Sequence, residues 1–274
     1  MMKIRGLKEM KKNIYLNYYP REEMDYRLSV IKKTGFDGVF LMYDDSNEFG
    51  DMVNKVGKIG LEIETFHLPY DICNHLWLDD ELGREYVEDL IRGVRAAAYY
   101  GVKTVIMHTM SKDSPQFNEL GLTRIRKILK VCEELNVDLA LENVRDYRYT
   151  DYVFHNIKHP NLKMCLDFGH TNAFGYKFKD LDFSKYKGLI TCLHIHDNHG
   201  HGDEHLIPFT GEIDYKAVVE KLKEINYTGP LTSEAHLRLP NIDPKKVTMT
   251  DAEFIKTVYN ALLVIESYFG ESNE

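Results

Sequence analysis

Cysteine is scarce in this sequence. The four cysteines (Cys73, Cys132, Cys165 and Cys192) are widely spaced and form no Cys-x-x-Cys pair, which argues against a disulfide scaffold or a zinc ribbon. A cytoplasmic protein with free thiols is the expectation. No window approaches the roughly 18–20 consecutive apolar residues of a membrane-spanning helix, so no membrane association is expected. The start Met1-Met2-Lys3-Ile4-Arg5 is basic, but Ile14-Tyr15-Leu16-Asn17-Tyr18 is too short and polar for a secretory leader. No Gly-x-Gly-x-x-Gly turn follows the first strand candidate, so no nucleotide cofactor is expected. Cationic residues are outnumbered: 35 Lys+Arg against 43 Asp+Glu give a net charge of −8, which disfavours a general nucleic-acid binder. Linkers and low-complexity tracts are missing too, so residues 1–274 read as one domain.

What remains is ordinary globular material, 43% hydrophobic and 28% charged, in a chain long enough to bury a large core without staples. Short apolar runs alternate with longer segments of helical period. The strand candidates are Ile14–Tyr19, Gly38–Tyr43, Glu62–Leu68, Thr104–Thr109, Asp138–Val144, Leu162–Phe168, Ile190–His196 and Gly229–Ala235. Several are continuously apolar, as parallel strands covered on both faces should be. Helical stripes run along Arg84–Tyr99, Leu122–Leu135, Tyr215–Ile225 and Ala252–Tyr268, and Gly35, Gly60 and Gly101 stand where left-handed C-terminal caps are wanted. The connection after Phe168 is irregular, with one short helical stretch near Asp182–Tyr186. Eight strand–helix units in alternation predict an α/β fold, a single (β/α)8 TIM barrel with its active site at the C-terminal rim of the strands.

The chemistry lies at the strand ends. Strand three ends in His67, strand four in His108, strand five in Glu142-Asn143 and strand six in Asp167-Phe168-Gly169-His170. Strand seven gives His194-Ile195-His196-Asp197-Asn198, and strand eight gives Glu234-Ala235-His236. A parallel barrel brings all these ends to one mouth. Several carboxylates packed together are costly without a compensating cation. Imidazole plus carboxylate suits Zn²⁺, Mn²⁺ or related divalent ions. His194–His205 holds five of the twelve histidines, and Gly200 and Gly202 suggest a loop that folds back over the mouth. Asp214 is a plausible N-cap for the helix that follows.

These residues resemble the xylose-isomerase-like TIM barrel superfamily, which joins sugar and sugar-phosphate isomerases and epimerases with abasic-site nucleases of the endonuclease IV type. The most specific stretches are Leu166-Asp167-Phe168-Gly169-His170 and His194-Ile195-His196-Asp197-Asn198, then Asp203-Glu204-His205 and Gly211-Glu212-Ile213-Asp214. The epimerase pattern implies one metal on Glu142, Asp167, His194 and Glu234, with His170 touching substrate. The nuclease pattern implies a multi-metal cluster that adds His67, His108, His170, Asp203 and His205. The acidic Asp44-Asp45-Ser46-Asn47-Glu48 after strand two would repel phosphates, which speaks against nucleic acid as a partner. Gly200 and Arg148 stand where well-studied ketohexose epimerases carry an Arg and an acidic residue.

The resemblance therefore implies a metal-dependent sugar or sugar-phosphate isomerase or epimerase working through an enediolate, with Mn²⁺ or Zn²⁺ (or Mg²⁺ or Co²⁺) as cofactor. Glu142 and Glu234 would exchange the proton, His170 would position a substrate oxygen, and Trp77 and Phe66 would cover the apolar side of the sugar. Related dehydratases share this proton chemistry. The alternative is a multi-zinc phosphodiester hydrolase, and a barrel that binds without catalysis is the third reading. By analogy, a homo-oligomer through the outer helices is expected.

Overall fold

The computed structural model describes residues 9–238 and 246–271, so the basic start Met1–Arg5 lies outside the described residues. Eight strands carry the sheet: β1 (Lys12–Tyr15), β2 (Gly38–Met42), β3 (Glu62–His67), β4 (Thr104–His108), β5 (Asp138–Glu142), β6 (Leu162–Asp167), β7 (Ile190–His194) and β8 (Leu231–Ser233). The helices between them are α1 (Met24–Thr34), α2 (Asn47–Lys58), α3 (Glu81–Tyr100), α4 (Glu119–Leu135), α5 (Tyr147–Asn156), α6 (Phe168–Ala173), α7 (Tyr215–Glu224) and α8 (Asp251–Phe269). All strand pairs are parallel, in the order β7-β6-β5-β4-β3-β2-β1-β8. The ring closes where Ile195 bridges Ser233. There Ile195 N–H donates to Thr232 O (2.9 Å) and Glu234 N–H to Ile195 O (3.0 Å). Closure removes both sheet edges and sends every strand's C-terminus to one rim.

The expected helical stripes are the core. Val87, Leu90, Ile91 and Val94 of α3 are buried, as are Ile125, Ile128, Leu129 and Cys132 of α4 and Phe254, Ile255, Val258, Leu262 and Ile265 of α8. They pack on outward-facing strand residues such as Val39, Leu41, Val105 and Leu139. Gly35 (φ 111°) and Gly101 (φ 75°) cap α1 and α3 in the left-handed region, where a Cβ would be strained. Asp214 caps α7 by accepting from Ala217 N–H at 3.1 Å. After α6 the chain makes two short 3₁₀ turns, Phe178–Asp180 and Ser184–Tyr186, matching the irregular connection expected there.

Two strands differ clearly from their sequence reading, β8 being confined to Leu231–Ser233 where Gly229–Ala235 was expected. β1 starts at Lys12 and ends at Tyr15, whereas the apolar run suggested Ile14–Tyr19. Lys12 is buried because its Nζ meets Glu266 of α8 at 2.9 Å and donates to Met10 O at 2.9 Å. A charge neutralised by a residue more than 250 positions away leaves no local signal. Downstream, Tyr19 (φ 53°) turns the chain out of the sheet. No helix among the described residues is long and apolar enough to cross a membrane.

Candidate metal centre

Strand alternation builds the site. On β5 Glu142 faces the barrel axis, on β6 Asp167 does, on β7 His194 does, and Glu234 follows β8 by one residue. One ligand atom from each of these four lies within 4.8 Å of every other, and all four residues are buried. His194 Nδ1 is 3.3 Å from Glu142 Oε2, 3.2 Å from Glu234 Oε2 and 3.9 Å from Asp167 Oδ2. Yet both ring nitrogens of His194, and Oε2 of Glu234, lack a hydrogen-bond partner among the described residues. His194 Nδ1 and Glu234 Oε2 therefore face each other at 3.2 Å without an aligned hydrogen bond. Buried polar atoms normally find partners, so this donor set fits a divalent cation.

The remaining expected residues close around this group. His67 Nε2 lies 3.1 Å from Glu142 Oε2 and 3.2 Å from His108 Nε2, and His108 Nε2 is 3.4 Å from the same carboxylate oxygen. His170 Nδ1 reaches Glu142 Oε1 at 3.0 Å, while its Nε2 meets Asp203 Oδ2 at 3.2 Å. His205 Nε2 meets that same oxygen at 3.2 Å. The loop after β7 therefore folds back, as its glycines suggested. Asp197 holds it by accepting from Phe209 N–H (2.9 Å) and Ile213 N–H (3.2 Å). Gly211 is required there, since a Cβ would lie 2.4 Å from Asp197 Oδ1. His199 and His201 stay exposed, His199 beside Glu204.

Among the described residues, every ion-pair contact of Glu142, Asp167, Asp203 and Glu234 is with an imidazole. The charge balance follows from that. Burial would raise the Glu142 carboxyl, but His194 and His108 outweigh it and hold it well below the usual range. Glu234 is likewise raised by burial and, on balance, held low by His194 and His205. Burial pushes the His194 and His170 imidazoles down, and their carboxylate neighbours more than reverse that. His205 rises to about 9, its burial offset by Asp203. A site that keeps its carboxylates ionised in the interior is ready to take a cation.

Two expected substrate contacts are corrected. Phe66 is fully buried against Phe49 and Tyr100, on the helix side of the sheet. Because His67 faces the mouth, its strand neighbour must face away. Trp77 donates its Nε1–H to Thr109 O (2.6 Å) and lies so close to Gly121 that a Cβ there would sit 2.1 Å from the indole ring. Both are packing residues. Aromatic rings do line the site, but different ones: Phe40 stacks on His194 at 4.7 Å, Tyr15 on Phe40 at 4.7 Å and Tyr70 on His108 at 4.4 Å.

Sequence reasoning also left His196 and His236 out of the site. His196 Nε2 is 3.2 Å from Asp167 Oδ2, and its ring stacks on His205 at 4.0 Å. His236 stacks on the His205 ring at 4.1 Å, and burial together with His205 lowers it to about 3. Alternation from His194 and from Glu234 places both on the inward parity, which was the available signal.

A model of the xylose isomerase-like TIM barrel family matches residues 28–258. The chain belongs to that family. An uncharacterised protein of Methanocaldococcus jannaschii is 25% identical over 183 residues, 61% of this chain and 62% of that one. For the first three curated relatives the match spans only 62%, 35% and 66% of their own lengths. A D-psicose 3-epimerase of Ruminiclostridium cellulolyticum is 23% identical over 263 residues, 84% of this chain and 85% of its own. A probable endonuclease 4 of Metamycoplasma arthritidis is 26% identical over 159 residues, 52% and 56% of the two chains. Among solved structures, an L-ribulose 3-epimerase superposes with TM-score 0.77 at 17% identity, covering 95% of each chain. The IOLI protein with a zinc atom bound gives TM-score 0.74 at 17% identity, covering 95% of this chain and 99% of its own. At such identities the structural likeness establishes the barrel alone.

Proposed function

We propose that the chain is a divalent-metal-dependent sugar or sugar-phosphate isomerase or epimerase that moves a proton through an enediolate. The observation that carries this reading is the pair of glutamates, Glu142 and Glu234, whose Oε2 atoms both approach His194 Nδ1, at 3.3 and 3.2 Å, and which are both held ionised. Family membership and the D-psicose 3-epimerase relative support it. Glu142, Asp167, His194 and Glu234 would hold Mn²⁺, Zn²⁺, Mg²⁺ or Co²⁺, and the ion supplies Lewis-acid polarisation of a substrate carbonyl.

One glutamate carboxylate would take the proton from the carbon next to the carbonyl and release it to solvent, and the other, first protonated from solvent, would deliver a proton on the opposite face or at the neighbouring carbon. Glu234, with Oε2 free of hydrogen bonds, is the better placed base, because Glu142 is surrounded by four imidazoles. His170, held by Glu142 at Nδ1, would position a substrate oxygen by exchanging the Asp203 contact of its Nε2 for the substrate. Phe40, itself fully buried, backs His194 and Tyr15, while Tyr15 and Tyr70 offer apolar faces to the sugar's C–H side. The chain acts in this reading as one barrel domain, and a homo-oligomer and a cytoplasmic setting go with it. The test is incubation of metal-loaded protein with a ketose and aldose panel in deuterated water. Deuterium at the carbon beside the carbonyl is the expected result, and no exchange into any sugar would overturn it.

A second reading, a multi-zinc phosphodiester hydrolase, is favoured by the closeness of His67, His108, His170, Asp203 and His205 to the same centre. Acidic Asp44 and Asp45 on the rim beside Tyr70 count against a polyanionic substrate. About three zinc ions per chain together with nicking of an abasic-site duplex would put this reading first.

A further inference from the structure

Beneath the rim lies a thiol that the proton chemistry does not use. The alternation that turns Asp167 inward also turns Cys165 inward, one layer deeper. Cys165 is the direct strand partner of Glu142 on β5 and of Cys192 on β7, and it is fully buried with Ile106, Ala140 and Cys192. Its sulfur, a Glu142 oxygen and a His194 nitrogen all lie within 4.8 Å of one another. Both His194 ring nitrogens are buried without hydrogen-bond partners among the described residues.

Glu142 and His194 thus belong to two overlapping donor sets. The upper set adds Asp167 and Glu234, giving three carboxylates and one imidazole. The lower set adds Cys165, giving sulfur, nitrogen and oxygen. Oxygen-rich sets suit Mn²⁺ and Mg²⁺, whereas a thiolate favours zinc and other thiophilic ions. We propose that Cys165, Glu142 and His194 form a second, deeper cation position that captures thiophilic ions, so that Cys165 decides which metal the barrel retains. The inference rests on the metal-dependent reading above. On capture the thiol is replaced by a thiolate–metal bond, and one proton leaves to solvent. An ion held there lacks Asp167 and Glu234 as ligands, so zinc and manganese forms of the protein would differ in coordination and not only in affinity.

X-ray absorption of the full chain loaded with Zn²⁺ alone or Mn²⁺ alone tests this. The wild type and Cys192→Ala should each show a sulfur neighbour at about 2.3 Å from zinc. Cys165→Ala and Cys165→Ser should show nitrogen and oxygen only, bind Zn²⁺ at least about tenfold more weakly, and bind Mn²⁺ within about threefold of wild type. Unchanged Mn²⁺ affinity also reports that the variants are folded. A zinc shell without sulfur in the wild type, or sulfur surviving in both Cys165 variants, overturns the proposal while leaving the metal centre standing. Failure of the wild type to bind either ion overturns both.

Discussion

Gly169 and His196 occupy the same volume: a Cβ added at Gly169 would lie 1.8 Å from Cε1 of the His196 ring. Gly169 sits in α6 two residues after Asp167, and His196 is the imidazole that touches Asp167 Oδ2 at 3.2 Å. The missing side chain is therefore what lets α6 start directly on the candidate metal centre. Gly169→Ala must displace either α6 or the ring. It should lower stability by about 1–3 kcal/mol through overpacking. Because Asp167 loses its support, metal affinity should fall about 10–100-fold. Thermal unfolding and a metal titration read both effects, and a variant matching wild type in each would refute the assignment.

The proton-transfer assignment separates the two glutamates. Glu234→Gln should reduce deuterium exchange by about 10²–10⁴-fold with a smaller change in KM, since it removes a base that acts in the transition state. Glu142→Gln should lower kcat and weaken metal binding more than Glu234→Gln does, because Glu142 joins four imidazoles to the centre and Glu234 only two. Equal metal affinity in the two variants would remove the distinction.

How far the sequence revealed this site depends on parity. The barrel was legible because apolar runs and helical stripes alternate eight times, and the His, Asp and Glu side chains that converge were legible because most of them fall at strand ends. His196, His236 and Cys165 were equally legible by alternation from His194, Glu234 and Asp167, but single residues carry less weight than a cluster. Phe66 was misread through neglect of the same rule, its partner His67 already claiming the inward face. Lys12 was beyond reach, because a buried ammonium is explained only by Glu266 at the far end of the chain. Trp77 lies on a 3₁₀ turn, Cys73–Trp77, where no strand parity applies.

Metal should stabilise the fold. The convergent carboxylates exist as a set only in the folded chain, so an ion binds the native state and not the unfolded one. At a free concentration 100 times its Kd, the gain is about 2.7 kcal/mol, worth about 5 °C or more in Tm for a chain of this size. Differential scanning calorimetry with chelator and then with added Mn²⁺ or Zn²⁺ gives the comparison. A Tm indifferent to both ions would argue that the donors bind nothing.

Acid sensitivity has a source away from the site. Asp80 caps α3 by accepting from Gly83 N–H at 2.8 Å, with His75 Nδ1 2.7 Å from its other oxygen. The Gly83 amide, aided by His75, holds this carboxyl below its ordinary value. An unfolded Asp titrates near 3.9. A folded value below that means the stabilisation is complete above about pH 3.9 and fades as pH falls through the folded value. Asp80→Asn keeps an oxygen for the Gly83 amide but removes the charge. Wild type should therefore be the more stable near neutral pH, and the gap in Tm should narrow on acidification below about pH 4. Melting curves of the two proteins from neutral pH to about pH 2.5 decide it. Parallel Tm profiles would mean that the cap works by hydrogen bonding alone, with no contribution from its charge.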